Sequence, residues 1–408
     1  MEEKYEIYTL ANGIRVVHCR VSGKVAHCGL LINTGSRDEM EDEWGMAHFI
    51  EHVIFKGTTK RKSFHVLSRL ENVGGDLNAY TTKEETCVHA TFLNQYYDRT
   101  LELVSDIVFN SVFPFKELEK EKEVVIDEIN SYLDSPSELI FDDFEDQMYH
   151  SYPIGKNILG SPECVRSFDK EKIQKFISRA YNTDEMVISS VGDIPFSKLV
   201  RIIEKYFGHI PANPRKFKRT IPLDYAVSNN IVERNTYQSH CIMGNLAYDA
   251  ADEKRMTLGM LTNILGGPGL NSRLNLNLRE KHGLAYNVEA NYSPYSDTGI
   301  FNIYFGCDKD DLNKCFSICN KEMQKMKDKK LGILQFRTAQ QQLLGQMAIS
   351  SENNENQMLS IAKSIILYNR VDTLENIYKR IGKISATDLL DVANEIFEPS
   401  TMSTLIYK

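Results

Sequence analysis

The first hundred residues alternate between patterns typical of β-strands and of amphipathic helices. Runs of β-branched and apolar residues at 13–17 and 26–32 predict two strands. Across 46–54 the apolar residues recur every three or four positions, which predicts a helix with one buried face. Gly57 follows a lysine and would end that helix. The alternating stretch at 76–93 predicts further strand.

The chain divides near its middle. Helical periodicity continues through the first half and predicts four further helices, at 63–73, 97–109, 116–132 and 136–149. The stretch 211–222 then holds three prolines and four basic residues, which is typical of a linker. We therefore predict an N-terminal domain at 1–212, a linker at 213–222 and a C-terminal domain at 223–408.

The two halves share a weak internal pattern. In each, a glycine pair (74–75 and 266–267) precedes an Ala-Tyr pair (79–80 and 285–286), a strand and an amphipathic helix. The two Ala-Tyr pairs are 206 residues apart, about half the chain. This repetition predicts a duplicated α/β domain.

Composition and charge narrow the class of protein. The 408 residues are 42% hydrophobic and 25% charged, as in ordinary folded proteins. The formal net charge of −8 argues against a nucleic-acid partner, which needs a dominant basic face. We find no secretory pattern and no run of 18 apolar residues, so we expect a cytoplasmic protein without a membrane partner. Eight cysteines without a CxxC pair predict reduced, buried thiols.

The strongest chemical pattern is His48-Phe49-Ile50-Glu51-His52. His48 and His52 are four residues apart on a predicted helix, so both imidazoles face the same way, as in the helical half of a zinc site. Glu51 projects near that face and could accept a proton from a metal-bound water that attacks a peptide carbonyl. The alternative is a surface helix that happens to carry two histidines.

A catalytic zinc needs a third protein ligand, and Glu128 is the candidate, 76 residues after His52. Glu121 lies two turns earlier on the same helical face and could hydrogen-bond a ligand histidine. Glu121 could instead be a solvated charge, which is the interpretation we favour for Glu123. The buried side of this helix is predicted to consist of Val124, Val125 and Ile129.

The two motifs together resemble those of the pitrilysin family of zinc peptidases, the inverzincins. The chain looks most like the short-chain members, such as the catalytic subunit of the mitochondrial processing peptidase. The resemblance implies an α+β fold with two homologous α/β domains, each a mostly antiparallel sheet packed with helices, that form half of a clam-shell. It also implies one Zn²⁺ per chain and an endopeptidase that cleaves peptides or unfolded segments inside a closed chamber.

The stretch 74–81 resembles the edge strand that receives the substrate in this family. An unpaired strand edge binds an extended peptide through main-chain hydrogen bonds. The residues that the resemblance assigns to substrate binding are Gly75, Leu77, Asn78, Ala79 and Thr81. The alternative is an ordinary hairpin with a buried Tyr80.

The stretch 271–286 resembles the Arg/Tyr motif of the family. By that match, Arg279 and Tyr286 would bind substrate and stabilise the oxyanion. Arg273 is the alternative arginine, and it could also form a structural salt bridge.

The second half has no HxxEH motif and would be a copy without metal. The resemblance implies a homodimer with two composite sites or, as a second choice, a heterodimer with a non-catalytic relative. A structural or assembly subunit of the same fold is the alternative function. The acidic residues of the helix at 136–149 would favour basic peptides if they faced the chamber, or they form a solvated surface.

Overall fold

The computed structural model describes residues 5–408 and has an α+β fold, as the sequence predicts. The strands are β1 Tyr5–Thr9, β2 Arg15–Arg20, β3 Val25–Ile32, β4 Asp76–Thr81, β5 Thr86–Leu93, β6 Met186–Gly192, β7 Asn229–Val232, β8 Ser239–Leu246, β9 Ala285–Pro294, β10 Gly299–Cys307 and β11 Ser403–Tyr407. The helices are α1 Met46–Val53, α2 Ser63–Glu71, α3 Tyr97–Phe109, α4 Phe115–Leu133, α5 Pro136–Met148, α6 Pro162–Ser167, α7 Lys170–Ala180, α8 Phe196–Phe207, α9 Arg255–Gly266, α10 Leu312–Asp328, α11 Ile333–Ser351, α12 Asn354–Tyr368, α13 Leu374–Lys383 and α14 Ala386–Ile396.

The first sheet has six strands in the order β1-β2-β6-β3-β5-β4. Every neighbouring pair is antiparallel except β2 and β6. One face carries the main core, in which the apolar sides of α1, α3 and α8 are buried. The other face is covered by α12. Strand β4 is the edge and pairs only with β5.

The second sheet repeats this topology. Its order is β7-β11-β8-β10-β9, and only β7 and β11 are parallel. Position by position, these five strands match β2, β6, β3, β5 and β4 of the first sheet. The chain is therefore duplicated in its topology, as the sequence predicts. The Ala-Tyr pairs do not match, because Tyr80 lies next to the β4–β5 turn whereas Tyr286 lies at the opposite end of β9.

The chain forms two compact units, and each unit includes one helix from the other half of the sequence. Unit 1 comprises residues up to 130, 156–219 and 350–372, and unit 2 comprises the remainder. The boundary at 219–220 falls inside the predicted linker. However, α5 packs on the second sheet and α12 on the first, so the units differ from the two predicted halves. Periodicity shows which helix face is apolar but not which sheet that face will cover.

The segment predicted as a linker is packed against unit 1 up to residue 219. Alternate residues point inward, as in an extended strand. The guanidinium groups of Arg215 and Arg219 each lie 2.8 Å from Asp38, whose side chain is fully buried. Arg219 also contacts Glu84 at 3.2 Å. Arg215 and Arg219, which the sequence places in a linker, therefore neutralise a buried carboxylate.

Two sequence expectations concern the whole described chain. Within residues 5–408, none of the helices combines the length and the apolar character of a membrane span. None of the eight cysteines, which all lie within residues 5–408, forms a disulfide bond, and all but Cys164 are buried.

Candidate metal centre

A buried carboxylate holds the first turn of α1. The backbone N–H groups of Gly45 and Ala47 donate to the two oxygens of Glu39, at 2.9 and 2.8 Å. Gly45 has a φ of +91°, where glycine is favoured, and a side chain there would meet the carbonyl oxygen of Leu159 at 2.5 Å. Because this turn is fixed, the directions of the side chains along α1 are fixed as well.

His48 and His52 lie one turn apart on α1, and both face Glu128 of α4. Nε2 of His48 is 3.8 Å from Oε1 of Glu128, and Nε2 of His52 is 3.5 Å from Oε2. One ligand atom from each residue lies within 4.8 Å of the other two. These separations exceed hydrogen-bond lengths, and the atoms are of the types that hold zinc. The three residues form a candidate metal site.

Glu121 and Lys56 orient the second histidine. Nδ1 of His52 is 3.1 Å from Oε1 of Glu121, whose other oxygen is 2.7 Å from Nζ of Lys56. Donation from Nδ1 leaves the lone pair of Nε2 facing the site. Although burial raises the pKa of Glu121, hydrogen bonds from His52 and Lys56 hold it below its ordinary value. Glu121 is thus buried and ionised, whereas Glu123 is exposed.

The surroundings of the two histidines shift their pKa values in opposite directions. Burial, helped by the adjacent His52, lowers the pKa of His48 to about 4, so its imidazole is neutral. Burial also opposes the charge on His52, but the acceptors Glu121 and Glu128 outweigh it and raise the pKa of His52. A bound cation would displace that proton. Nδ1 of His48 is buried and has no hydrogen-bond partner within residues 5–408.

Glu51 is fixed beside the site by the edge strand. Oγ1 of Thr81 donates to Oε2 of Glu51 at 2.6 Å. Burial raises the pKa of Glu51, although the Thr81 hydrogen bond and the His52 charge oppose this effect. A carboxylate whose pKa is raised toward neutrality has the character of a general base.

Strand β4 has two different faces and a free edge. Leu77 and Ala79 pack partly into the main core beneath α1. Asn78 lies on the other face, where its side chain donates to Asp76 at 2.7 Å. The N–H of Gly75 donates to Leu70 in the preceding helix, at 3.0 Å. Among the described strands, only β5 pairs with β4, so its outer edge is open.

The contacts of Tyr80 match only part of the alternative given above, an ordinary hairpin with a buried Tyr80. Its ring is half-buried, and its hydroxyl donates to Glu85 at 3.0 Å. Nζ of Lys363, from α12, lies 5.7 Å from the ring centroid and 2.5 Å from Glu85. The hairpin is therefore held from behind by α12 while its outer edge stays free.

One residue of α4 was predicted wrongly. Val124 is 51% exposed, while Val125, Ile126 and Ile129 are buried. The predicted buried side of α4 is displaced by one residue from the observed one. The amphipathic pattern of this charged helix does not distinguish between these two positions. Val124 instead lies one turn before Glu128, on the exposed side of the helix.

Arg279 and Tyr286 lie together in unit 2. The Arg279 guanidinium is 5.4 Å from the centroid of the Tyr286 ring, and the tyrosine is 83% exposed. Arg279 belongs to a π-helical turn at Asn275–Glu280, a feature found frequently at functional sites. Arg273, the alternative arginine, instead lies 3.5 Å from the buried Glu322. Its position is that of the structural salt bridge considered above.

Three of the five acidic residues of α5 accept hydrogen bonds from tyrosines of unit 2. The hydroxyl groups of three tyrosines donate to three of its carboxylates, in the pairs Tyr132–Asp142, Tyr295–Glu145 and Tyr407–Asp143. These carboxylates accept structural hydrogen bonds, which leaves less of the helix available to attract a basic peptide.

Three side chains that shape the site were not given these roles by sequence reasoning. Glu39 lies seven residues before α1, in a loop whose conformation cannot be predicted from the sequence. Lys56 was interpreted only as the end of a helix. Thr81 was assigned to the substrate through its strand, and its hydroxyl is bonded to Glu51. Only for Thr81 did the sequence contain a signal, namely its place in the edge-strand motif.

Known proteins resemble this chain along its whole length. Residues 15–162 match the family model described as Insulinase (Peptidase family M16), and residues 167–343 match the one described as Peptidase M16 inactive domain. A protein named "Uncharacterized zinc protease" from Rickettsia felis is 32% identical over the whole chain and 98% of its own length. The Bacillus subtilis protein named "Uncharacterized zinc protease YmxG" is 29% identical, covering 98% of this chain and 97% of its own.

Solved structures share the fold. A protease from Helicobacter pylori superposes with a TM-score of 0.92 over 100% of both chains, at 22% identity. A Pseudomonas fluorescens structure titled as a peptidase M16 inactive domain has a TM-score of 0.91 and 18% identity, over 99% of this chain and 97% of its own. With both halves matched by family models and a 32% identical relative along its full length, the chain belongs to peptidase family M16.

Proposed function

We propose that this member of the M16 family is a zinc-dependent endopeptidase that hydrolyses peptides or unfolded segments inside a closed chamber. The observation that carries the proposal is the convergence of His48, His52 and Glu128 on one point, with Glu51 fixed beside it. Two imidazoles and one carboxylate are a donor set of catalytic zinc sites. The zinc-protease names of the relatives support the same chemistry.

The proposed mechanism assigns each side chain one task. His48, His52 and Glu128 would hold one Zn²⁺ per chain. When bound, zinc polarises a carbonyl group and lowers the pKa of water. Glu51 removes a proton from the attacking water and delivers it to the departing amine. Thr81 holds one oxygen of Glu51, which leaves the other free to exchange the proton.

The substrate would bind along the outer edge of β4. Its backbone would extend the sheet by one strand through main-chain hydrogen bonds. In this arrangement Asn78 and Gly75 contribute to the edge, while Leu77 and Ala79 support it from the core. Thr81 then joins the two functions, because it belongs to the substrate strand and also holds the base.

The second repeat would complete the site. Arg279 and Tyr286 present a guanidinium and a phenol side by side on an exposed surface. Such a pair can bind a peptide carbonyl and donate to an oxyanion. We propose that they serve the metal site of a second chain in a homodimer, and a heterodimer with a non-catalytic relative is the second choice.

The decisive experiment compares the wild type with Glu51→Gln, both loaded with zinc, on a quenched pool of mixed-sequence peptides. We expect at least a hundredfold loss of rate in Glu51→Gln with an unchanged zinc content. Glu123→Gln, on the exposed side of α4, is the matched control and should retain full activity. Equally negligible rates in the zinc-loaded wild type and Glu51→Gln would refute the stand-alone enzyme and leave either a missing partner chain or the structural subunit.

A further inference from the structure

A groove runs along the exposed side of α12, beside strand β4. It encloses about 370 Å³. Tyr80 of β4 lines it, and its other lining residues belong to α12, among them Leu359, Ser360, Lys363 and Leu367. All of these residues lie in unit 1. We call this space the α12 groove.

The helix α12 advances in the same direction as β4. At its start, Oε1 of Glu355 is 3.1 Å from Nδ1 of His89, which lies opposite Asn78 in the middle of β4. Eight residues later, Nζ of Lys363 is 2.5 Å from Glu85, in the turn that follows β4. Eight residues of helix and the four residues of strand from His89 to Glu85 each span about 12–14 Å. The α12 groove therefore follows the edge of the sheet.

Strand geometry links the α12 groove to a peptide bound at β4. The side chains of β4 alternate, since Leu77 and Ala79 pack on the main core whereas Tyr80 packs on the α12 side. A peptide that extends the sheet at this edge alternates in the same way, so every second side chain points to the α12 side. Thr81, which follows Tyr80, bonds to Glu51. The peptide side chain beside Tyr80 is therefore close to the bond to be cleaved.

The α12 groove offers an apolar surface. Leu359 packs against the same cluster as Tyr80, and Leu367 is 40% exposed. Among the lining residues within 5–408, only Lys363 is charged, and its ammonium group is paired with Glu85. A charged side chain that entered the groove would lose its hydration without gaining a partner, whereas burial stabilises an apolar side chain.

We propose that the α12 groove is a specificity site, which receives one large apolar side chain of the peptide that extends the sheet at β4. The proposal rests on the function proposed above and names its substrate class. That class is extended peptides with a large apolar residue on one strand face, near the cleaved bond. The occupant is a peptide strand because the groove shares Tyr80 with the open edge of β4 and follows that edge.

The first test measures peptide binding to zinc-loaded Glu51→Gln, which should not cleave the probes. The probes are fluorescent peptides of about ten residues, in which threonine alternates with leucine, alanine or lysine. We expect saturable binding in fluorescence anisotropy, at least tenfold tighter for the leucine peptide than for the other two. Absence of saturable binding by all three peptides would overturn the proposal, as would equal affinities for the leucine and alanine peptides.

Two substitutions of the exposed Ser360, each added to Glu51→Gln, locate the binding site. Ser360→Trp fills the groove and should weaken binding of the leucine peptide at least tenfold. Ser360→Glu places a carboxylate there, so the lysine peptide should bind more tightly than the leucine peptide. Ser178→Trp is the matched control and should bind within twofold of Glu51→Gln, because Ser178 is exposed on α7, which packs on the opposite face of the sheet. An unchanged leucine preference in both Ser360 variants would overturn the groove assignment.

Two further measurements separate this proposal from the endopeptidase and from another occupant. The zinc-loaded wild type and Ser360→Trp are each given the leucine and alanine peptides. Binding in the groove without hydrolysis would refute the endopeptidase and leave the groove as a peptide-binding site. Hydrolysis with the same leucine preference in Ser360→Trp would refute the groove and leave the endopeptidase. Sedimentation of the free protein tests the other occupant: self-association abolished by Ser360→Trp, but not by Ser178→Trp, would replace the peptide by a second copy of this chain.

Discussion

Removal of the Glu121 carboxylate is expected to weaken zinc binding without altering any of the three proposed ligands. Glu121 accepts from Nδ1 of His52 at 3.1 Å and from Lys56 at 2.7 Å. In Glu121→Ala, the His52 ring loses the acceptor that sets its orientation and tautomer. Lys56 also loses its counter-ion, and its positive charge then lies near the cation.

The expected magnitude follows from the geometry. Loss of an outer hydrogen-bond partner of a metal-bound histidine typically costs about 10- to 100-fold in metal affinity. That range corresponds to about 1.4–2.8 kcal/mol. Because Glu121 is only 9% exposed, water replaces it poorly, so we expect the upper part of the range. Glu121→Gln should lose less, since its amide oxygen can still accept from His52.

The assay is a competitive zinc titration of the metal-free protein against a chromophoric chelator. Glu123→Ala is the matched control, because Glu123 is two residues away on α4 and exposed. It should bind zinc as the wild type does. Zinc affinity of Glu121→Ala within twofold of the wild type would refute the reasoning, as would an equal loss in Glu123→Ala.

Three further changes test other parts of the molecule. Thr81→Val should lower kcat about 10- to 100-fold and leave KM within twofold, because Glu51 loses the hydroxyl group that orients it. Thr81→Ser keeps that hydroxyl and should restore the rate. Equal rates in the two variants would contradict this prediction. Arg219→Ala should lower the free energy of unfolding in urea by about 1–3 kcal/mol, because the buried Asp38 carboxylate loses one of its two arginine partners and keeps Arg215, whereas the exposed Lys218→Ala should change little. Burial lowers the pKa of His240 below its ordinary value, so the unfolded chain takes up the proton first. The contribution of His240 to the free energy of unfolding is therefore present above about pH 6.5 and lost as the pH falls below that value. His240→Gln should make the free energy of unfolding fall less steeply with decreasing pH, and the same steepness as in the wild type would contradict this prediction.

The sequence was most informative where the chemistry is local. Four-residue spacing places His48 and His52 on one side of any helix, and seven-residue spacing does the same for Glu121 and Glu128. Both relations follow from backbone geometry, so they hold whatever the helices pack against. The duplication was likewise predictable, because a strand and an amphipathic helix recur in the same order in both halves, although the Ala-Tyr pairs do not correspond in the structure.

The sequence predicted the partners of these motifs less completely. The approach of α4 to α1 was implied by the family resemblance, since no local rule joins residues 76 positions apart. The bonds from Thr81 to Glu51 and from Lys56 to Glu121 were not predicted. Each depends on a side-chain position to within an ångström, which is set by the packing of whole elements.

By itself, the sequence determined which residues share a face of a helix or strand, and therefore the candidate metal ligands. Only the tertiary structure decided what each face meets. It placed α5 on the second sheet and α12 on the first, buried Arg219 of the apparent linker, and exposed Val124. The physical reason is that periodicity is a property of one segment, whereas burial depends on the complementarity of two surfaces that are distant in sequence.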